Sequence, residues 1–365
     1  MSIVITVSIM SLLTTFLALL IVIADATLNS HGNYSIEINN GQQKIFASEG
    51  ATLLTALAQN QIFVSSACGG KATCGLCKVK IITGARPVLP TEVPFLTAEE
   101  AKAGIRLACQ YKIKSNLQIS ISEQLLNTKR YRAHVERITR LTHDIKEFRL
   151  RLEQGTTIDF KAGQYIQVET KPYAGVQESV FRAYSISSVP SECQTVEIIV
   201  RLVPNGICTT YLHNYLHEGD EITFTGPYGE FYLHPGADQL LFIAGGSGLA
   251  PIKSIIFDIL ERNLEKEMIF FFGAVSKKDL YYVDLFSQLA AENPRFTYIP
   301  ALSQPEPDDN WQGEEGLITE VVARYVHDAF NKHAYLCGSP GMINACLEVL
   351  TKIGFTEEQI FYDKF

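Results

Sequence analysis

Residues 240–263 read LLFIAGGSGLAPIKSIIFDILERN. LLFIAG is a short apolar run without charge, the pattern of a strand buried on both faces, whereas PIKSIIFDILERN repeats its apolar residues at helical spacing. The join, Ala244 to Pro251, is almost entirely small residues. Such a loop lets a dinucleotide pyrophosphate approach the backbone and the helix N-terminus. It is not the G-x-G-x-x-G spacing, and alone it reads equally well as a tight strand-to-helix turn. The same strand theme returns in MIFFFGAV, RFTYIPAL and HAYLCG, between helical segments. Strands alternating with helices imply βαβ units and a parallel sheet.

Upstream the pattern differs. RAHVERITRL, KEFRLRL, QYIQVET, RAYSISS, TVEIIVRLV and DEITFTGP are strand-like runs separated by turn signals, as in a small antiparallel barrel. Earlier still, YSIEIN and KIFAS form a hairpin pattern around Asn40-Gly41, ATLLTALAQN is helical with Thr52 or Ser48 as N-cap, and KVKIITG and LQISI are strands. TAEEAKAG reads as a short capped helix ending at Gly104. Tyr34 to Ser122 thus makes an α+β unit, with NTKRYR as a boundary after it. At 365 residues and a prior of roughly 150 per domain, several domains are expected.

Within the α+β unit, Ala67 to Cys77 reads ACGGKATCGLC. Cys68, Cys74 and Cys77 stand in a C-x5-C-x2-C arrangement, and Cys109 is the next cysteine. Four thiolates can close the coordination of a two-iron, two-sulfide cluster, with glycines letting the loop wrap and aim N–H groups at sulfur. Structural zinc is the alternative, although zinc ribbons usually offer two C-x2-C halves and Cys109 stands alone in RLACQ. The plant-type spacing is C-x4-C-x2-C, so this loop carries one extra residue among Lys71, Ala72 and Thr73. Cysteines crowded into one loop favour a reducing compartment. Cys193, Cys208 and Cys346 read as ordinary small side chains, and no histidine has metal spacing or stands out as a general base. The net charge of −8 excludes a nucleic-acid partner, which needs a basic face. Lys129, Arg130 and Arg132 read as a solvated linker or strand face.

From Ser2 to Ala24, SIVITVSIMSLLTTFLALLIVIA carries no charge and has the length to cross a hydrocarbon core of about 30 Å. A cleaved signal peptide is the alternative, with small residues at Ala24-Asp25-Ala26, but no Lys or Arg precedes the run. The first basic residue is Lys44, which places the C-terminal side in the cytoplasm.

Arg182-Ala183-Tyr184-Ser185 resembles the R-x-Y-S signature of the ferredoxin-NADP reductase superfamily. Gly206-Ile207-Cys208-Thr209 follows where that superfamily has a second phosphate-binding turn, G-x-x-S/T, and Gly226-Pro227-Tyr228-Gly229 resembles the turn closing its barrel. Gly245, Gly246 and Gly248 match its nicotinamide-nucleotide loop, GG-x-G-x-x-P. Tyr335-Leu336-Cys337-Gly338-Ser339-Pro340 resembles its Y-x-C-G-P-P stretch, with Ser339 for the first proline. The resemblance implies that FAD is held by Arg182 on the pyrophosphate, Tyr184 on the ring face, Ser185 near N5, and Gly206 and Thr209. It implies NADH over Gly245, Gly246 and Gly248, with Cys337 and Gly338 beside the nicotinamide and the terminal aromatic, Phe365, on the flavin. An aromatic packed against the last strand is the other reading of Phe365. Ser276-Lys277-Lys278-Asp279 lacks an arginine where many NADPH users have one, although its two lysines leave the choice open.

The order of these parts resembles the NqrF family, a subunit type of the bacterial Na+-translocating NADH:quinone oxidoreductases. The expected architecture is multidomain: a transmembrane anchor at 1–28, an α+β ferredoxin-like (β-grasp) domain with a [2Fe-2S] cluster at 31–125, an antiparallel β-barrel FAD domain at 128–235, and an α/β parallel-sheet NADH domain at 236–365. One departure is the short connection KPYAGVQESVF, where that family carries a sizeable insertion. The resemblance implies hydride transfer from NADH to FAD and single electrons passed through the cluster. The receivers would be redox partner subunits in the lipid bilayer and, indirectly, quinone. It implies a single-pass protein of a bacterial inner membrane with its soluble domains in the cytoplasm. The other readings are the reductase of an oxygenase or another membrane electron-transfer system, a zinc-binding membrane-tethered sensing module, and a secreted form freed by signal cleavage.

Overall fold

The computed structural model describes residues 10–20 and 32–364. Residues 10–20 are helical, and among the described residues no helix is long and apolar enough to cross a membrane. The rest of the segment read as an anchor, residues 1–9 and 21–28, lies outside the described residues, as does the signal-cleavage alternative. The chain divides into two units, Met1–Asn60 with Cys77–Ser122, and Gln61–Leu76 with Glu123–Phe365.

The first unit is a five-stranded mixed sheet in the order β2-β1-β5-β3-β4. Its strands are β1 (Asn33–Ile38), β2 (Gln43–Ser48), β3 (Lys78–Thr83), β4 (Ile105–Leu107) and β5 (Leu117–Ser120). β1 runs parallel to β5 and antiparallel to β2. The hairpin turns through Asn39, Asn40 and Gly41, all at positive φ, which is the conformation that Asn and Gly adopt at least cost. Helix α1 (Leu53–Gln59) starts where the Thr52 hydroxyl accepts from the Thr55 N–H, and it buries Leu53, Ala56 and Leu57. Helix α2 (Ala98–Lys102) opens on a capping box made by Thr97 and Glu100. Gly104, at φ +84, ends that turn; a Cβ there would sit 2.6 Å from the Ile81 carbonyl oxygen.

In the second unit, six antiparallel strands follow the order β10-β7-β6-β11-β8-β9. They are β6 (Lys129–Arg140), β7 (Ile145–Leu152), β8 (Tyr165–Glu169), β9 (Phe181–Ser185), β10 (Thr195–Arg201) and β11 (Glu221–Tyr228). A bridge between Ile186 and Ile198 joins the two ends of the sheet into a barrel. β6 begins at Lys129, inside the stretch read as a boundary. Tyr131, Ala133 and Val135 alternate inward there, while Lys129, Arg130 and Arg132 form the solvated face. Helix α3 (Ile207–Asn214) follows β10.

Six strands then form a parallel sheet, β15-β14-β13-β12-β16-β17. The strands are β12 (Gln239–Gly245), β13 (Glu267–Ala274), β14 (Phe296–Leu302), β15 (Glu314–Glu315), β16 (Lys332–Gly338) and β17 (Ile360–Lys364). Successive side chains of β12 serve two cores. Leu240, Phe242 and Ala244 pack with α4 (Leu249–Glu261) and α5 (Val283–Glu292) on one face. Leu241 and Ile243 pack with α6 (Ile318–Tyr325) and α7 (Pro340–Ile353) on the other. Helices on both faces are why LLFIAG is apolar throughout rather than alternating.

A buried ion network fixes this sheet to the barrel. Lys253 of α4 donates to Glu147 of β7 at 2.9 Å and to Glu197 of β10 at 3.1 Å, Arg149 reaches Glu197 at 2.6 Å, and the Tyr282 hydroxyl donates to Glu147 at 2.7 Å.

Candidate active site

A cleft of about 1250 Å³ opens in the second unit, walled by the barrel, the parallel sheet and the loop 61–76. Arg182, Tyr184 and Ser185 of β9 line it. Nη1 of Arg182 donates to the Phe181 carbonyl at 2.7 Å, and among the described residues Arg182 makes no ion pair, which leaves its charge for an anionic ligand. Tyr184 is hydrogen-bonded to the Cys208 thiol, and burial first, then Cys208, raises the Tyr184 hydroxyl well above its ordinary pKa.

Gly206 caps α3. A Cβ on it would stand 2.4 Å from Thr209 Oγ1 and 3.0 Å from the Val203 carbonyl oxygen. Thr209 Oγ1 in turn accepts from the Val203 N–H at 3.2 Å and donates to the Gly206 carbonyl at 3.2 Å. The turn is thus held shut, and α3 starts without a side-chain cap, so the N–H groups of its first turn are able to receive an anion.

Across the cleft, Gly245, Gly246 and Ser247 line the wall. Gly246 takes φ +56, and its carbonyl accepts from Tyr281 at 2.8 Å. Gly248 faces away, toward β16. A Cβ there would lie 2.2 Å from the Cys337 carbonyl oxygen. Cys337 is fully buried and, like Gly338, stands behind the cleft wall rather than in it. Burial, then Asp363, raises its thiol well above the ordinary value. Phe365 lies outside the described residues; Phe361, four residues earlier, stacks on His234 at 4.2 Å and on Tyr335 at 5.0 Å.

Three features of this site carry no signal in the sequence. Cys208 lines the cleft against Tyr184. Asp363 of β17, opposite Cys337 in the strand register, also lines it, with its carboxyl raised by burial. Lys277 and Lys278 are tied to an acidic loop: Lys277 Nζ donates to the Asp309 carbonyl at 2.8 Å and Lys278 Nζ pairs with Glu306 at 2.7 Å.

The cysteines are divided between the units. Cys68 and Cys74 belong to the loop 61–76 of the second. The Cys74 thiol donates to Cys68 sulfur at 3.4 Å. Burial raises the Cys68 thiol, but hydrogen bonds from Thr73 and Cys74 outweigh it and bring the value to about 6, so this loop favours a thiolate. Gly69, Gly70, Ala72 and Gly75 all take positive φ. Ala72 does so at a cost of about 1–2 kcal/mol, which puts a non-glycine strain in the region of the extra residue. In the first unit, Cys77 and Cys109 are buried, and the Ala108 N–H donates to the Cys77 carbonyl at 2.8 Å. Buried Glu92 accepts from the Leu107 N–H at 2.7 Å and so pins β4 just before Cys109. Among the described residues no three His, Cys, Asp or Glu side chains form a metal-holding group. The donor chemistry, paired soft sulfurs on Cys68 and Cys74 with the backbone N–H groups of Thr73, Cys74 and Leu76 directed at them, suits an iron–sulfur cluster.

Three family models match in chain order: a 2Fe-2S iron-sulfur cluster binding domain at 36–114, an oxidoreductase FAD-binding domain at 132–232 and an oxidoreductase NAD-binding domain at 242–348. The NqrF subunit of the Na(+)-translocating NADH-quinone reductase of Mannheimia succiniciproducens is 37% identical over 392 positions, covering 96% of this chain and 95% of its own. That of Klebsiella pneumoniae is 36% identical over 406 positions, with 100% of both chains covered. The chain belongs to the NqrF family. Like that family it is an NADH-dependent flavin and iron–sulfur oxidoreductase, using FAD, NADH and a [2Fe-2S] cluster. The alignments run longer than these 365 residues, so its NqrF relatives carry residues that it lacks. Among solved structures, an Amycolatopsis cytochrome P450 reductase, GcoB, superposes with TM-score 0.73 at 27% identity, covering 91% of this chain and 98% of that one. A ferredoxin reductase in carbazole 1,9a-dioxygenase does so with TM-score 0.69 at 25% identity, covering 92% and 99%.

Proposed function

We propose that the protein is the electron-input subunit of a membrane NADH:quinone reductase. It would be anchored by residues 1–28, with its soluble domains in the cytoplasm, and would serve redox partner subunits that pass electrons to quinone. The observation that supports this most is the near-complete, end-to-end match to NqrF in a chain that joins all three cofactor segments.

FAD held in the cleft would supply the chemistry of accepting a hydride from NADH, and a [2Fe-2S] cluster held by the cysteines would supply one-electron transfer. The chain's part is to bind, orient and tune. Arg182 and the N-terminus of α3 receive the flavin phosphates; Tyr184, anchored on Cys208, and Ser185 place the ring; Gly245 to Ser247 admit the nicotinamide nucleotide. Asp363, raised by burial, keeps its proton to higher pH than an ordinary aspartate and is a group in the cleft wall suited to exchanging one. Cys68, Cys74, Cys77 and Cys109 are the proposed cluster ligands, and Phe365 the proposed ring cover.

The acidic loop favours NADH over NADPH. With Lys278 paired to the Glu306 carboxylate and Lys277 Nζ turned to the Asp309 backbone carbonyl, a 2′-phosphate would have to displace these contacts to gain the cations that an NADPH enzyme offers. 2′,5′-ADP is therefore expected to bind at least ~10-fold more weakly than 5′-AMP in titration calorimetry; equal or tighter binding would contradict this.

Removing residues 1–28 tests the membrane assignment. The shortened chain is expected in the soluble fraction, still reducing ferricyanide with NADH but no longer supporting quinone reduction. Wild-type quinone reduction without the segment would contradict the reading. It would favour instead the reductase of an oxygenase or another electron-transfer system; the two structural relatives are named as a cytochrome P450 reductase and a ferredoxin reductase in carbazole 1,9a-dioxygenase.

A further inference from the structure

The loop 61–76 is bound to the barrel by one buried polar cluster. Ser65 is only 8% exposed. Its hydroxyl lies 2.5 Å from that of Tyr165 and accepts from Gln167 Nε2 at 3.1 Å. Tyr165 and Gln167 both belong to β8, which pairs with β9 so that Tyr165 stands opposite Ser185. The Tyr165 ring stacks on Tyr228 at 5.5 Å, and it is backed by Gly229, where a Cβ would come within 3.0 Å of it. The ring is thus seated between Tyr228 and the Gly229 backbone. Ser66 secures the loop from its own side, accepting from the Gly70 N–H at 2.9 Å. The result is that Ala67, Thr73 and Cys74 become part of the wall of the flavin cleft, close to Tyr165.

We propose that the Ser65–Tyr165–Gln167 cluster is a latch that positions the cysteine-bearing loop against the flavin face of the cleft and thereby sets the rate at which electrons leave it. The inference rests on the flavin and iron–sulfur reading above. Two strands of the barrel supply both sides of the transfer: β9 brings Ser185, while β8 grips the loop that carries Cys68 and Cys74. A register common to both strands fixes the donor and acceptor positions together. Three hydrogen-bonding groups that satisfy one another in a dry site form a rigid joint, and deleting one hydroxyl leaves its partners unsatisfied and the loop loose. Ser65, Tyr165 and Gln167 are positioning residues, because they act through the loop and do not touch a transferred atom.

The test uses the full-length holoenzyme, mixed anaerobically with NADH in a stopped-flow instrument. Flavin bleaching and cluster reduction are timed separately, with cluster content verified by electron paramagnetic resonance. In Ser65→Ala and in Tyr165→Phe, the ratio of cluster reduction rate to flavin reduction rate is expected to fall about tenfold or more, since misplacement on the order of 1 Å is costly to a positioned transfer. The double variant should fall no further than Ser65→Ala alone, because removing the Ser65 hydroxyl already breaks both the Tyr165 and the Gln167 bonds. Hydrogen exchange of the peptide spanning 63–76 should quicken in each. An unchanged rate ratio, additive losses, or unchanged exchange would overturn the latch. If wild-type enzyme shows no cluster reduction at all, the underlying functional reading fails instead.

Discussion

Gly248→Ala is expected to raise the half-saturating NADH concentration by about 100-fold and to lower the stability of the second unit by about 3 kcal/mol or more. The backbone conformation of Gly248, φ −62, suits any residue, so the requirement is for space. The added Cβ would lie 2.2 Å from the Cys337 carbonyl oxygen, 2.5 Å from its carbon and 2.8 Å from the Gly338 nitrogen. All three are backbone atoms of β16, the neighbour of β12 in the sheet. No rotamer change relieves such a contact; either the strand or the glycine loop must move, and Gly245 to Ser247 move with it. Gly341 is the control, since a Cβ there meets nothing within 4 Å, and Gly341→Ala should melt like the parent. Steady-state kinetics and thermal melting measure both, and a Gly248→Ala enzyme with normal NADH saturation would show that the loop is not held as described.

Lys253→Met should destabilise the second unit by about 3–5 kcal/mol, a fall of roughly 6–20 °C in its melting temperature. The Lys253 side chain is 13% exposed and its partners Glu147 and Glu197 are 4% and 9% exposed. Among the described residues, removing the cation leaves Glu147 with no counter-charge and only the Tyr282 hydroxyl, and Glu197 with the arginines Arg149 and Arg137 alone, in a site where water cannot replace it. Methionine keeps the stem volume, so the loss reports charge rather than a cavity. Burial works to raise Glu197, but Lys253 and Arg149 outweigh it and hold its carboxyl below the ordinary value of 4.5. That contribution is complete above the ordinary value and is lost as pH falls beneath it. The gap between parent and variant should therefore be widest near neutral pH and close in acid. Calorimetry from about pH 2 to pH 8 decides it; a constant small gap would mean that the network does not hold the joint between barrel and sheet.

What can be read from the sequence is what depends on neighbours along the chain. LLFIAGGSGLAP declares a strand, a turn and a helix start within a dozen residues, and Thr52 and Thr97 announce their helices because capping acts across three positions. The site's long-range pairings leave no such mark. Nothing around Lys277 or Lys278 foretells that Asp309 and Glu306 will close over them. Cys208 reads as ordinary because Tyr184, its hydrogen-bond partner, lies on another element. Asp363 sits between two residues that show no site pattern, and only the register of β17 with β16 brings it to the cleft. Ser65 and Tyr165 are a hundred residues apart, and a serine before a cysteine loop carries no pattern that selects a tyrosine in a barrel strand. Ser339 in place of proline is neutral to the fold, because its hydroxyl accepts from the Met342 N–H and caps α7.

The most direct test of the central claim is anaerobic addition of NADH to the purified holoenzyme, followed together by visible absorption and electron paramagnetic resonance, in the parent and in Cys74→Ser. The parent should bleach its flavin band first and then develop the signal of a reduced two-iron cluster, while Cys74→Ser should keep the first event and lose the second. A colourless, zinc-loaded protein, a flavin band indifferent to NADH, or a two-iron signal untouched by Cys74→Ser would contradict the account.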